Sequence, residues 1–382
     1  MVNKYNILIN ALGIVDSGGI SVLSKLLEEC TLNKLIKYYV VCNENNNIQI
    51  LIKKYLTFKN FEFQIVSHRG VLHRMYYENI ILTMYAKNHI DLIYNFSGSF
   101  LFWSKKTQIV KIQNLIFYSK ELDNAYRKRS QYVSWIKQIY LKRLFYKFCF
   151  KKAMHVEIQS EHVKDHLSQF VNIKNKYFYV KSDINMSNNE FSSPKQYNFF
   201  NKIKILYIVG PHFEYLSKNF LDFTNAMLKL NEKYINFEIN ITLTNAQLNS
   251  SKIWNVALNK NTNFIGYLSS RKKINELFCD NTILISTSII ETLGLHVIEG
   301  IKNGVITIVP DEKYAKEVYG ENMFKYKLHD KDSLLDAIIN VINYKGSFNK
   351  KILSQQNDLK QNEKIKFGSV LEVFDEVVNV QK

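Results

Sequence analysis

The chain has 382 residues, 46% apolar and 22% charged, which excludes wholesale disorder and fibrous repeats and suits two domains of ordinary size. Its formal net charge of +17 is lopsided: residues 1–190 hold 27 Lys/Arg against 14 Asp/Glu, and residues 191–382 hold 24 against 20. The front half therefore expects an anionic partner. The four cysteines (Cys30, Cys42, Cys149, Cys279) form no CxxC pair, which argues against a disulfide framework or a Cys-type zinc site and suits a reducing cytosol. No apolar run approaches the roughly 18 residues of a spanning helix. The opening Met1–Asn10 stretch is too short for a signal peptide and reads as a first strand, so the expectation is an intracellular protein.

Short β-branched or aromatic runs predict strands at Tyr5–Asn10, Lys37–Cys42, Phe61–Val66, Asp91–Phe96, Gln108–Gln113, His155–Gln159 and Tyr177–Val180. Helical patterns lie between them; in Ile20–Cys30, Val22, Leu23, Leu26 and Leu27 share one stripe. Residues 184–201, rich in Asn and Ser and carrying Pro194, show no apolar period and read as a linker. The alternation then restarts, with strands at Ile203–Val209, Phe237–Leu243, Asn263–Leu268, Thr282–Ser286 and Val305–Val309 and helices at Asn219–Leu230, Lys272–Phe278 and Leu295–Lys302. Nearly continuous apolar strands are those of parallel sheets covered on both faces. Two doubly wound, Rossmann-like α/β domains facing one another across a cleft follow. The expected boundaries are 1–185, a linker at 186–201, 202–364, and a C-terminal helix at 365–382.

The most informative stretch runs from Ser286 to Gly300. A strand ends near Ser286, a short loop holds Glu291, and Gly294 turns the backbone into a helix that begins at Leu295 and carries Glu299 one turn inside. A helix N-terminus beside a glycine suits a phosphate, and two carboxylates so placed can accept hydrogen bonds from different hydroxyls of one ligand. Upstream, Ile205–Gly210 is a strand closing on glycine, and Lys218-Asn219 opens the next helix.

The E-x7-E spacing, with Glu291, Gly294, Leu295 and Glu299 in place, resembles the donor site of retaining GT-B glycosyltransferases, and glycosyltransferase family four in particular. Gly300 stands where that family usually has alanine, and Leu293 where it has phenylalanine; Asn303-Gly304-Val305-Ile306 extends the likeness. The resemblance implies that Glu291, the candidate catalytic residue, approaches the donor sugar hydroxyls and Glu299 the ribose hydroxyls. It implies a diphosphate-binding role for Lys218, with Asn219 beside it; Pro211-His212 replaces the arginine many members place there. Gly18 and Gly19, after Asp16-Ser17, resemble the glycine loop that members place over donor and acceptor. Arg74…Glu78 and the Asp91-led strand look like further family features, whereas Gln113-Asn114 stands where many members carry a His-Asp pair, so no catalytic histidine is carried over. Ser160 with Lys164 matches a common Ser-x-x-x-Lys pattern, for which an N-cap serine is the simpler account.

The implied activity is transfer of a hexose or deoxyhexose from a nucleoside diphosphate sugar to a saccharide acceptor, with retention and with no cofactor and no bound metal. His162 and His166 are spaced i,i+4 but lack a third ligand. The variant motifs resemble members that build bacterial surface polysaccharide such as O antigen or capsule, which implies a lipid-linked acceptor. Two alternatives have sequence tests of their own. A GT-B sugar-nucleotide epimerase has no need of a basic front domain, and a nucleic-acid binder would carry an RNP-like or helix-turn-helix signature, which this sequence does not.

Between Arg127 and Lys152 nine Lys/Arg and no acid are interleaved with aromatics. Arg127, Lys128, Arg129, Lys137, Lys142, Arg143 and Lys147 are the candidates to hold the front domain on the anionic inner face of the cytoplasmic membrane.

Overall fold

The computed structural model describes residues 5–14, 17–67, 70–183, 191–200, 202–233, 236–268, 271–362 and 367–380. The chain forms two compact units. The first comprises Met1–Tyr118, Val133–Asp183 and Lys364–Lys382; the second comprises Ser119–Tyr132 and Ile184–Glu363. Residues 119–132, which the expected boundaries leave in the front domain, group with the second unit.

The first unit is built on a seven-stranded parallel sheet: β1 (Tyr5–Ala11), β2 (Ile36–Asn43), β3 (Phe61–Val66), β4 (Leu92–Asn95), β5 (Thr107–Ile112), β6 (His155–Ile158) and β7 (Tyr177–Val180), in the order β3-β2-β1-β4-β5-β6-β7. Side chains alternate across it. Leu8, Val41 and Ile93 pack with Leu82 and Ala86 on one face, while Tyr94 turns to the other and meets Phe374 of the helix Val370–Val380 edge to face. That helix is fastened by Tyr5 Oη donating to Asp375 Oδ1 (2.6 Å) and by Val370 N donating to Glu29 Oε2 (2.7 Å).

The same face holds a buried ionic cluster. Lys111 Nζ lies 2.7 Å from Glu157 Oε1 and 2.6 Å from Asp183 Oδ1, and Lys181 reaches Glu29 at 3.1 Å. Tyr94 Oη donates to the second oxygen of Glu157. Burial pushes Lys111 down, but the two carboxylates outweigh it and leave the ammonium above its ordinary range. Lys111 and Glu157 are register partners on neighbouring strands.

The second unit has a six-stranded parallel sheet: β8 (Ile203–Tyr207), β9 (Phe237–Ile241), β10 (Thr262–Phe264), β11 (Thr282–Ile285), β12 (Ile306–Pro310) and β13 (Phe324–Tyr326), ordered β10-β9-β8-β11-β12-β13. Ile203, Ile205 and Tyr207 of β8 face the larger core with Phe220, Phe223 and Met227; Leu206 faces a smaller one with Leu284 and Phe278. Residues 184–190 and 201 of the expected linker lie outside the described residues. The part that is described runs along this unit, with Ser192 N donating to Lys302 O (2.8 Å) and Lys195 N to Gly304 O (2.9 Å).

Candidate active site

In the second unit the strand order reverses between β8 and β11, so the loops leaving their carboxyl ends part in opposite directions and leave a crevice, the usual ligand position in such a sheet. After β8 the chain makes a 3₁₀ turn at Leu216–Lys218, passes through Asn219 in the left-handed region (φ 48°) and enters the helix Phe220–Lys233. The loop after β11 is sewn to that turn. Ile289 N donates to Ser217 O (2.8 Å), Thr287 Oγ1 donates to Lys218 O (2.7 Å), and Tyr207 Oη pairs with Thr287 Oγ1 (2.7 Å).

With its backbone held this way, Lys218 extends its side chain across the crevice to Glu291: Nζ lies 2.6 Å from Oε1. The ammonium keeps 34% of its exposure and the carboxylate 17%, so the pair is within reach of a solute. Burial alone would raise the Glu291 carboxyl, but Lys218 and His296 outweigh it and hold it below the ordinary range. Burial also pushes the His296 imidazole down to about 4, so it is neutral at pH 7.

Gly294 stands at the N-cap of the helix Leu295–Lys302 in the left-handed region (φ 59°). A Cβ there would lie 2.0 Å from Tyr319 Oη, so only glycine lets the turn close. Tyr314 and Tyr319, from the helix Lys313–Tyr319, back the loop; Tyr314 Oη donates to Ser288 O at 2.5 Å. Leu295, His296 and Glu299 occupy the less buried side of the Leu295–Lys302 helix, while Val297, Ile298, Gly300 and Ile301 pack inward. The start of this helix follows directly on the loop that carries Glu291, and the amides of a helix's first turn suit an anion.

The structure thus brings Lys218, Glu291 and Gly294 together at this crevice, with Leu295 opening the helix and Glu299 one turn along its less buried side. Asn219 is a different case. It is 1% exposed, its amide donates to Asp222 Oδ2 (2.6 Å), and its carbonyl oxygen accepts from Arg129 Nη2 (2.9 Å), so its side chain braces the turn from inside. Arg129, 90 residues away in sequence, is a cation at this turn that the local motif could not reveal. His212, beside Gly210, is exposed and stacks on Tyr215.

In the first unit the order reverses between β1 and β4. There Asn10 Nδ2 donates to Glu78 Oε1 (3.0 Å), Ser99 Oγ donates to the same oxygen (2.9 Å), and Asn95 Nδ2 donates to Gln108 (2.9 Å). Arg74 caps the network, its Nε and Nη2 both 3.0 Å from Glu78 Oε1 and its Nη2 3.0 Å from Ser97 Oγ. A π-helical segment, Tyr77–Leu82, turns Glu78 inward. Gly13, which sequence reasoning passed over, is needed here: a Cβ would stand 2.5 Å from Arg74 Nη1 and 2.6 Å from Ser97 Oγ. Gly18 and Gly19 lie in the first turn of the helix Ser17–Thr31, Gly18 exposed with open space around it; Asp16 lies outside the described residues. Ser160 is the N-cap of the helix Glu161–Ser168, but its hydroxyl pairs with His162 Nδ1 (2.8 Å).

The basic run 127–152 does not form one surface. Arg127 and Lys128 are exposed at the end of the helix Lys120–Lys128, and with Arg129 they belong to the second unit. Arg143 corrects the expectation of a lipid-facing cation. It is 6% exposed, donates Nε to Phe117 O (2.6 Å) and stacks on the Phe170 ring, because the helical phase turns it into the core with Ile139 and Phe150. Lys137 and Lys142 are exposed and Lys147 is partly so. The exposed face between them is apolar: Val133, Ile136, Tyr140, Leu141, Leu144 and Phe148 all stand open to solvent. No helix among the described residues is long and apolar enough to cross a membrane. Nor, among the described residues, do three His, Cys, Asp or Glu side chains gather as a metal site.

Comparison with known proteins bears on the family and the fold. Residues 191–364 match the family described as "Glycosyl transferases group 1". Solved structures resemble the chain over nearly its whole length. HepE from Anabaena, in complex with UDP and glucose, aligns with TM-score 0.61 and 13% identity over 99% of each chain. A glycosyltransferase from Rickettsia africae gives 0.64 and 17%, over 98% of this chain and 99% of that one. Sucrose-phosphate synthase from Thermosynechococcus elongatus gives 0.66 and 13%, over 93% and 95%. No curated protein matches by sequence. The fold is GT-B, two doubly wound parallel-sheet units in one chain. With a group 1 glycosyl transferase match over its second unit, the chain is a glycosyltransferase.

Proposed function

We propose that the enzyme transfers a hexose or deoxyhexose, with retention, from a nucleoside diphosphate sugar to a lipid-linked saccharide in bacterial surface polysaccharide synthesis. The observation that carries the donor assignment is the Lys218–Glu291 pair (2.6 Å) beside the N-terminus of the helix Leu295–Lys302, at the β8/β11 reversal. In this reading Lys218 and the helix start balance the leaving diphosphate, Glu291 takes the sugar hydroxyls and Glu299 the ribose hydroxyls. A metal is not required for this balance. Two neighbours, HepE and an anthocyanidin 3-O-glucosyltransferase, were solved in complex with UDP, which makes uridine the first base to try. The exposed apolar face from Val133 to Phe148, flanked by Lys137 and Lys142, is read as the surface that rests on an anionic cytoplasmic leaflet beside such an acceptor.

The test is a thermal-shift screen against UDP, GDP, TDP and CMP sugars, followed by transfer assays. A rise of several degrees with one nucleotide class, lost in Lys218→Ala and Glu299→Ala while both variants stay folded, is expected. Full binding and activity in both variants would show the donor assignment to be wrong.

A further inference from the structure

A second basic feature of the first unit is not explained by sugar transfer. A cavity of about 380 Å³ opens at the end of the helix Leu141–Lys152, with Lys147, Lys151, Lys174 and Lys176 around it and Phe150 and Phe170 in its wall. Lys147 and Lys151 are one turn apart on the same side of the helix. Lys174 comes from the turn after the helix Glu161–Ser168, where its amide donates to Asn172 Oδ1 (2.9 Å). Lys176 is committed: its ammonium bonds the carbonyls of Phe150 (2.8 Å) and Ala153, capping the helix end, and burial pushes it below its ordinary range. The other three have no carboxylate partner among the described residues, and the Lys147 ammonium stands over the Phe170 ring, 5.5 Å from its centroid.

Like charges one helical turn apart repel, and a third brought in by a loop adds to the cost unless an anion joins them. The rings of Phe150 and Phe170 already lie under Lys176 and Arg143, so an apolar part of the ligand would have to meet the outer face of the helix. The helix that supplies Lys147 and Lys151 also carries the exposed Leu144 and Phe148. We infer that this cavity holds the phosphate of an anionic phospholipid headgroup, with the apolar face of the same helix against the acyl region. The inference rests on the membrane-facing reading above and gives it a definite seat. Lys147, Lys151 and Lys174 meet the phosphate oxygens, and Leu144 and Phe148 meet the carbons beyond them.

Vesicle sedimentation of the full chain tests it, using phosphatidylcholine alone and phosphatidylcholine doped with phosphatidylglycerol. The pair Lys151→Ser/Lys174→Ser removes two charges from the cavity; the pair Lys53→Ser/Lys54→Ser removes two from the same unit away from both the cavity and the apolar face. All four side chains are exposed, so folding should survive, which circular dichroism checks. The cavity pair should weaken binding to the doped vesicles by roughly thirtyfold and the control pair by about threefold. Equal losses would mean diffuse attraction and overturn the site, as would no binding by the wild type. A third arm uses soluble glycerol 3-phosphate. If it binds through Lys151 and Lys174 while vesicle binding ignores them, the ligand is a free phosphate compound and the lipid assignment falls. UDP-sugar thermal shifts on the same variants report the second unit separately, so failure of the transferase reading and failure of this one are told apart.

Discussion

At the β1/β4 reversal Asn10, Glu78, Asn95, Ser99 and Gln108 bond one another and are almost wholly buried, whereas at the β8/β11 reversal the paired Lys218 and Glu291 side chains stay 34% and 17% exposed. Both places are carboxyl ends of parallel strands where the topology leaves a crevice. In the first unit the polar groups saturate each other, so their energy is spent on rigidity. In the second unit the ion pair stays partly open to solvent, so a solute can reach it. A doubly wound sheet fixes where a crevice lies; the exposure left to its polar side chains separates a brace from a candidate site.

That contrast can be broken by mutation. Glu78→Ala leaves Arg74, Asn10 and Ser99 without their common acceptor and should cost about 3–5 kcal/mol of stability, read by urea denaturation. Lys218→Ala should instead leave the unfolding midpoint nearly unchanged and lower kcat/KM by about 100-fold or more, since a partly exposed ion pair adds little to folding whereas the proposed donor reading has this cation balance the leaving diphosphate. If Lys218→Ala proves the more destabilising of the two, the distinction between brace and site fails. Gly294→Ala, forced against Tyr319 and into the left-handed region, should cost roughly 2–3 kcal/mol and weaken nucleotide affinity with it.

The smallest effect is in pH. Folded His296 titrates near 4, while an unfolded imidazole titrates near 6.5, so the unfolded chain takes the extra proton between those values. The stability tied to His296 is complete above about pH 6.5 and is lost as pH falls toward 4. His296→Gln should flatten that part of the curve in denaturant melts at pH 7 and pH 5; an unchanged slope would count against burial as the cause. Glu291, held below its ordinary range, adds stability that is lost only at lower pH, as its carboxyl protonates.

Much of this was legible in the sequence because buried parallel strands have few ways to be written. Phe61–Val66 and Tyr177–Val180 fall where their apolar runs place them, and the helix Leu295–Lys302 is bounded by Gly294 and Gly304. The strand Phe324–Tyr326 was not legible, being three residues long with a lysine at its centre. The ionic cluster around Lys111 was equally hidden, since a charged residue in a strand finds its partner through register with the next strand, 46 residues on. Arg129 and Arg143 look alike in a basic run. Helical phase alone sends Arg143 into the core, and tertiary packing alone takes Arg129 to Asn219. Within the β8/β11 crevice, the positions of Glu291, Gly294 and Lys218 were readable because each is tied to a short local turn, whereas the supporting Tyr314 and Tyr319 come from the next helix and left no signal near the motif.

The way the helix Val370–Val380 completes the first sheet has a consequence for synthesis on the ribosome. Its Val373, Phe374 and Val377 are fully buried, so the first unit lacks part of its own interior until residues beyond 370 have emerged. Ile184–Glu363, by contrast, is one uninterrupted stretch apart from the short piece Ser119–Tyr132, which has already been made. The half translated first is therefore the half sealed last. During elongation it waits with one sheet face uncovered, a window in which a chaperone has something to hold.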